Sequence, residues 1–124
     1  MLFLFKYSAR MSVQYQIFEA AKTNNLHRVE ELLDSGVDPN LKDFDSESTP
    51  LHLACANGGR YFFLLQFESP KARQTMELLV KRGANVNAAN KRGLTPLHNL
   101  ISKRYDALAL WLISRVDKTG QCEN

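Results

Sequence analysis

Three histidines, two cysteines and a few paired carboxylates are the residues of this chain whose side chains could do chemistry. Their spacing argues against it. His27, His52 and His98 stand far apart and none has a cysteine or second histidine at metal-ligand spacing, so no metal site is expected. Cys55 sits in the apolar run Leu53-Ala54-Cys55-Ala56, without the electropositive, accessible setting a nucleophile needs. Cys122 lies in a polar segment, so pairing with Cys55 is not expected, and a reducing compartment, cytoplasmic or nuclear, is favoured. Glu30 with Glu31, and Asp43 with Asp45, have the pattern of solvated faces rather than of a buried acid–base pair. Gly58-Gly59 closes a helical run instead of opening one after a strand, so no phosphate cradle follows. No enzyme activity and no cofactor are expected.

What remains is a surface that could grip another macromolecule. The most suggestive group is Lys91, Arg92, Lys103 and Arg104, which could steer an acidic peptide. The chain's formal charge is only +3, a mild excess spread along it, so nucleic acid is not the favoured partner. No stretch approaches the roughly 20 apolar residues of a membrane span. The opening Met1-Leu2-Phe3-Leu4-Phe5 meets Lys6 at once and lacks the layout of a secretory signal. Residues 1–14 read as a frayed leader, with Met11 an alternative start.

The elements that position these residues follow from a phrase used twice, Thr49-Pro50-Leu51-His52 and Thr95-Pro96-Leu97-His98. In each, proline suits the first turn of a helix, where its missing N–H is not needed, and threonine suits the N-cap. A second shared phrase runs from Glu77 to Ala88 in the middle unit and is copied one unit earlier at Val29 to Asn40: an amphipathic helix end, a glycine cap (Gly83, Gly36), then an extended arm. Unit one therefore has helices near Tyr15–Thr23 and Leu26–Asp34. Unit three has a second helix near Asp106–Ser114, with Val116-Asp117 where the glycine phrase should stand.

These two anchors and two glycine arms resemble the ankyrin-repeat family over about residues 15–117. The resemblance implies an all-α solenoid with short β-hairpin-like turns, built from stacked helix-turn-helix units of about 33 residues. Its units span about 15–48, 49–94 and 95–117, with a polar tail at 118–124. It also implies a structural role for His52 and His98, bonding across the turn and to the neighbouring unit. The implied function is protein–protein interaction through the hairpin tips and the concave inner-helix face, either free-standing or as a regulatory segment of a larger enzyme, channel or adaptor. By matched position the partner-facing residues are Lys42, Phe44 and Asp45 on the first tip and Lys91, Arg92 and Leu94 on the second. The inner helices add Lys22 and Thr23, Asn57, and Ser102 with Lys103 and Arg104. Asn87 matches the hairpin asparagine that the family can have hydroxylated; Asn40, preceded by Pro39, matches it less well.

Three departures stand out. The anchors lie 46 positions apart, about 13 more than the family period. The excess, residues 60–69, carries Tyr61, Phe62, Phe63 and Phe67, which read as a partner-docking element, a cover for the array's own flank, or sequence foreign to the fold. Ser69-Pro70 then opens a lengthened second helix. The first unit presents a charged outer face, Arg28, Glu30 and Glu31, as a terminal unit needs. The last helix, Ala107 to Ile113, is apolar all round, which calls for a covering partner; Leu110 and Trp111 are the residues for self-association.

Overall fold

The computed structural model describes residues 13–57, 59–62 and 65–123, with backbone alone for 59–62, 65–68 and 117–123. Among the described residues six helices form three antiparallel pairs. Helix α1 covers residues 13–22, so Val13 and Gln14 belong to a helix and not to the leader. Helix α2 is Leu26–Asp34, α3 Pro50–Ala56, α4 Pro70–Lys81, α5 Pro96–Ser102 and α6 Asp106–Glu123.

Local chemistry sets each boundary. Thr49 and Thr95 adopt extended backbone before Pro50 and Pro96, so each proline occupies the first helical turn as its geometry requires. Ser69 precedes Pro70 in the same way, although its side chain makes no capping bond. Asn25 caps α2, its side chain accepting from the Arg28 N–H at 3.2 Å. Gly36 and Gly83 sit at φ +102 and +100, a region open to glycine without cost. There each helix unwinds through one pair of bonds: Gly36 N–H to Leu33 O and Val37 N–H to Leu32 O, repeated as Gly83 to Val80 and Ala84 to Leu79.

The third unit departs here for the same reason. Val116 stands at the cap position, and without a residue suited to the left-handed turn the helix runs on. Helix α6 continues to Glu123, past the expected end near Ser114 and through the segment read as a polar tail.

The repeat body is all-α. One small sheet is added to it, in the segment that exceeds the family period. Strands β1, Gly59–Phe62, and β2, Leu65–Glu68, form an antiparallel hairpin between α3 and α4, with Gly59 opposite Glu68 and Phe62 opposite Leu65. Phe63 lies outside the described residues, as do the side chains of Tyr61, Phe62 and Phe67, so the three readings of the aromatic segment stay outside the description.

A single core threads the stack. Ile17, Leu51, Met76, Leu79, Leu100 and Leu112 are fully buried, contributed by α1, α3, α4, α5 and α6. Val29 and Leu32 supply the share of α2. No unit contains enough of this surface to be stable alone, so the stack folds as one body.

Candidate functional site

The chain aligned with itself fixes which residues are equivalent. The turns after α1 and α5 share one bond pattern, Asn25 N–H to Ala20 O at 2.9 Å and Tyr105 N–H to Leu100 O at 3.0 Å. Asn24 and Arg104 stand in the left-handed region in both. Ala21, Cys55 and Ile101 are therefore one repeat position, and Phe18, His52 and His98 another.

His52 is the joint between units two and three. Its Nδ1 accepts from the Thr49 N–H at 3.0 Å, which leaves the ring proton on Nε2, donating to Leu94 O at 2.8 Å. Burial, and secondarily the Lys42 ammonium, hold its pKa below the ordinary value, outweighing the opposing Leu94 bond. The neutral ring is thus the native form. His98 repeats the inner half, Thr95 N–H to Nδ1 at 2.9 Å, but is exposed. The expected structural role of this histidine holds in full for His52. His27 is exposed and lies 3.9 Å from Glu31. Burial pushes the Cys55 thiol well above its usual range, so it is an inert core residue. Among the described residues no three His, Cys, Asp or Glu side chains gather to hold a metal ion.

The first hairpin tip is a stiff loop. Asp43 Oδ1 accepts from the Asp45 N–H at 3.2 Å, its Oδ2 from the Ser46 hydroxyl at 3.3 Å, and its own N–H donates to Ser48 O at 2.9 Å. Glu47, at φ 59, takes the left-handed place that Gly93, at φ 79, has in the second tip; the extra residue widens the closing bond, Glu47 N–H to Asp43 O where the second tip has Gly93 N–H to Asn90 O. On top of this frame Phe44 stands 83% exposed. The second tip is shaped by Asn90, whose Oδ1 accepts from the Arg92 and Leu94 N–H groups at 2.9 and 3.1 Å. The tips are joined directly, Lys91 N–H donating to Ser46 O at 2.8 Å, and Lys42 Nζ donates to Ala89 O at 3.3 Å. The joined tips thus bring exposed acidic (Asp45, Glu47), aromatic (Phe44) and basic (Lys91, Arg92) residues onto one surface.

Other candidates divide between surface and joint. Lys22, Thr23, Ser102, Lys103 and Arg104 are exposed. Lys91 and Arg92 precede α5 while Lys103 and Arg104 follow it, so the four cations form two pairs separated by the helix's length of about 10 Å. Leu94 and Asn57 are structural as well as partly accessible: Leu94 O receives His52, and Asn57 O receives the Asn24 amide at 2.8 Å. On α6, Leu110 is 68% exposed and Trp111 half-buried with the Arg115 guanidinium 5.4 Å over its ring.

Two residues with larger roles than their sequence signal suggested are Asn40 and Asn90. The Asn40 carboxamide brackets the next arm, donating to Gly83 O at 2.9 Å and accepting from the Asn85 N–H at 2.6 Å. Its repeat position in Gly-x-x-x-Asn was the available signal. Asn87, the equivalent one unit on, is exposed.

Parts of several known proteins are similar to this chain in sequence. A 96-residue stretch is 35% identical to the ARF GTPase-activating protein Git of Drosophila melanogaster, covering 72% of this chain and 11% of that protein. A 57-residue stretch is 39% identical to stress-activated protein kinase alpha of Dictyostelium discoideum, covering 46% of this chain and 8% of the relative. A 66-residue stretch is 41% identical to the potassium channel SKOR of Arabidopsis thaliana, covering 53% and 6%. The chain thus spans only a small part of the curated relatives it matches. The family profile "Ankyrin repeats (3 copies)" matches residues 17–122. With its glycine-capped arms and its His52 joint, the chain belongs to the ankyrin repeat family.

Proposed function

We propose that this chain binds a protein partner through its hairpin tips and the concave side of its inner helices, without catalysis of its own. Protein–protein interaction is the general role of ankyrin repeats. The observation that carries the finer reading is Phe44, almost fully solvated on a loop fixed by its own hydrogen bonds. An aromatic side chain held this way loses little conformational entropy on docking and is a residue type that dominates binding energy at interfaces. Lys91 and Arg92 beside it would steer and orient an acidic segment, while Lys103 and Arg104 would act as a separate, outlying pair. The site would lie within the cell, where cysteines such as Cys55 stay reduced.

The test is affinity capture with three proteins: the intact chain, Phe44→Ala, and Lys91→Glu with Arg92→Glu. Loss of the same captured partner in both variants is expected. Capture unchanged in both discards the tips as the binding site.

A second reading is favoured by the lengths of the relatives, in which the matched stretch is 8% of a kinase and 6% of a channel. In this reading the array regulates further domains of a larger polypeptide. An antibody to the array would then detect an endogenous species well above 14.1 kDa; a species of that mass alone discards it.

A further inference from the structure

The chain carries its own standard for a unit's trailing face once a neighbour sits on it. Ala21 and Cys55 are fully buried at the position where Ile101 is 58% exposed. Ile17 and Leu51 are fully buried where Leu97 is only partly covered, and His52 is buried where His98 is exposed. On the outer helices Leu33 is buried where Ile113 is 38% exposed. The interface by which unit one holds unit two, and unit two holds unit three, therefore continues onto unit three as an aliphatic face left uncovered by the described residues.

Three occupants compete for it. A further unit in the same register fits badly. Ile101 puts a branched four-carbon side chain where the stacked positions hold a methyl or a thiol, and overpacking of that kind costs about 1–3 kcal/mol. Helix α6 also runs straight through Val116, where the arm that receives the next hairpin would leave. Head-to-tail stacking on the leading face of another copy fits no better. That face carries Glu19 and Glu31 where unit two has Leu53 and Leu78 and unit three has Asn99 and Trp111. Glu31 is engaged with Arg28 at 3.0 Å, and covering these charges would strip their water.

Like on like meets neither obstacle. Leu97, Ile101 and Ile113 carry no charge, and the turn at the foot of the face holds both signs, Lys103 and Arg104 with Asp106. We propose that the trailing face of unit three docks on the same face of a second copy about a two-fold axis, with Ile101 and Ile113 at its centre. Such an isologous pairing closes on itself, whereas head-to-tail stacking would grow into open filaments. Leu110 takes no part, because it occupies the outer position held by Glu30 and Glu77 in the other units.

Sedimentation of the full chain over about a hundredfold range of concentration tests this. A shift from one protomer to two is expected. Ile101→Asp with Ile113→Asp should raise the dissociation constant by at least about tenfold, and Leu110→Asp should leave it unchanged. The milder Ile101→Cys, in a Cys122→Ser background, serves if the acidic pair misfolds: a short bismaleimide should join residue 101 to its own copy. A single protomer at the highest concentration overturns the proposal. So does an open-ended series of masses, association lost with Leu110→Asp but not with the isoleucine pair, or no linkage between copies at residue 101.

Discussion

The two ends of this stack are made from the same repeat positions and finished in opposite ways. Where unit two presents Leu53 and Leu78 toward its predecessor, unit one has Glu19 and Glu31, both exposed and thus at no desolvation cost. Where units one and two hide Ala21 and Cys55 under a successor, unit three shows Ile101 to solvent. At these positions the leading face of unit one carries charge, and the trailing face of unit three carries exposed aliphatic carbon. One repeat position can therefore serve as core, cap or docking surface, depending only on what covers it and how large its side chain is.

Substitutions at equivalent positions can break or sharpen that contrast. The largest difference should come from Leu51→Ala against Leu97→Ala. Leu51 is fully buried between units, so its truncation should cost about 2–5 kcal/mol of unfolding free energy. The same change at half-covered Leu97 should cost about 1 kcal/mol at protein concentrations low enough for a single protomer, and equal losses there in denaturant titration would mean that the protomer itself covers its trailing face.

Next comes acidity. The pKa of His52 in the fold lies below the ordinary 6.5, so the unfolded chain takes up the proton first. The stability from the neutral ring is complete above pH 6.5 and is lost as pH falls from there through the lower native value. Denaturant midpoints measured across this window should slope downward toward acid, and His52→Asn should flatten that slope while His98→Asn preserves it. A slope that survives His52→Asn assigns the acid sensitivity elsewhere.

The smallest contrast is Asn40→Ala against Asn87→Ala. The first removes two bonds to the following arm and should cost about 1 kcal/mol. The second, with no following arm to hold, should stay within about 0.5 kcal/mol. A thermal shift of the same size for both would show that Asn40 contributes nothing through its bridge.

Much of this was legible in the residues. Leu26–Asp34 is read correctly to the residue because an amphipathic run ends in a glycine four positions before an asparagine, and each of those features has a local cause. The role of His52 followed from family resemblance, and the geometry supplies the acceptor, Leu94 O. What the sequence concealed depended on partners distant along the chain. That the four cations form two pairs could not be seen without the length of α5 between them. Helix α6 runs past the expected end near Ser114: Val116 stands where units one and two place Gly36 and Gly83, so the left-handed turn that ends α2 and α4 is not favoured there. The hairpin strands within 59–68 did have a signal, the β-favouring aromatic residues Tyr61, Phe62 and Phe67. That cluster drew attention to partners instead.

This hairpin carries a consequence for how such a chain can change. Gly59 and Glu68 face one another across the ladder, so the excursion leaves the stack and returns at a single point. The neighbouring helices therefore experience a junction of constant width, whatever hangs from it. Extending the ladder by a residue pair moves its tip outward and leaves α3 and α4 where they are; even a doubling of a flexible loop costs only about 0.6 kcal/mol. The junction between α3 and α4 is a graft point, where new sequence can be tried without renegotiating the core.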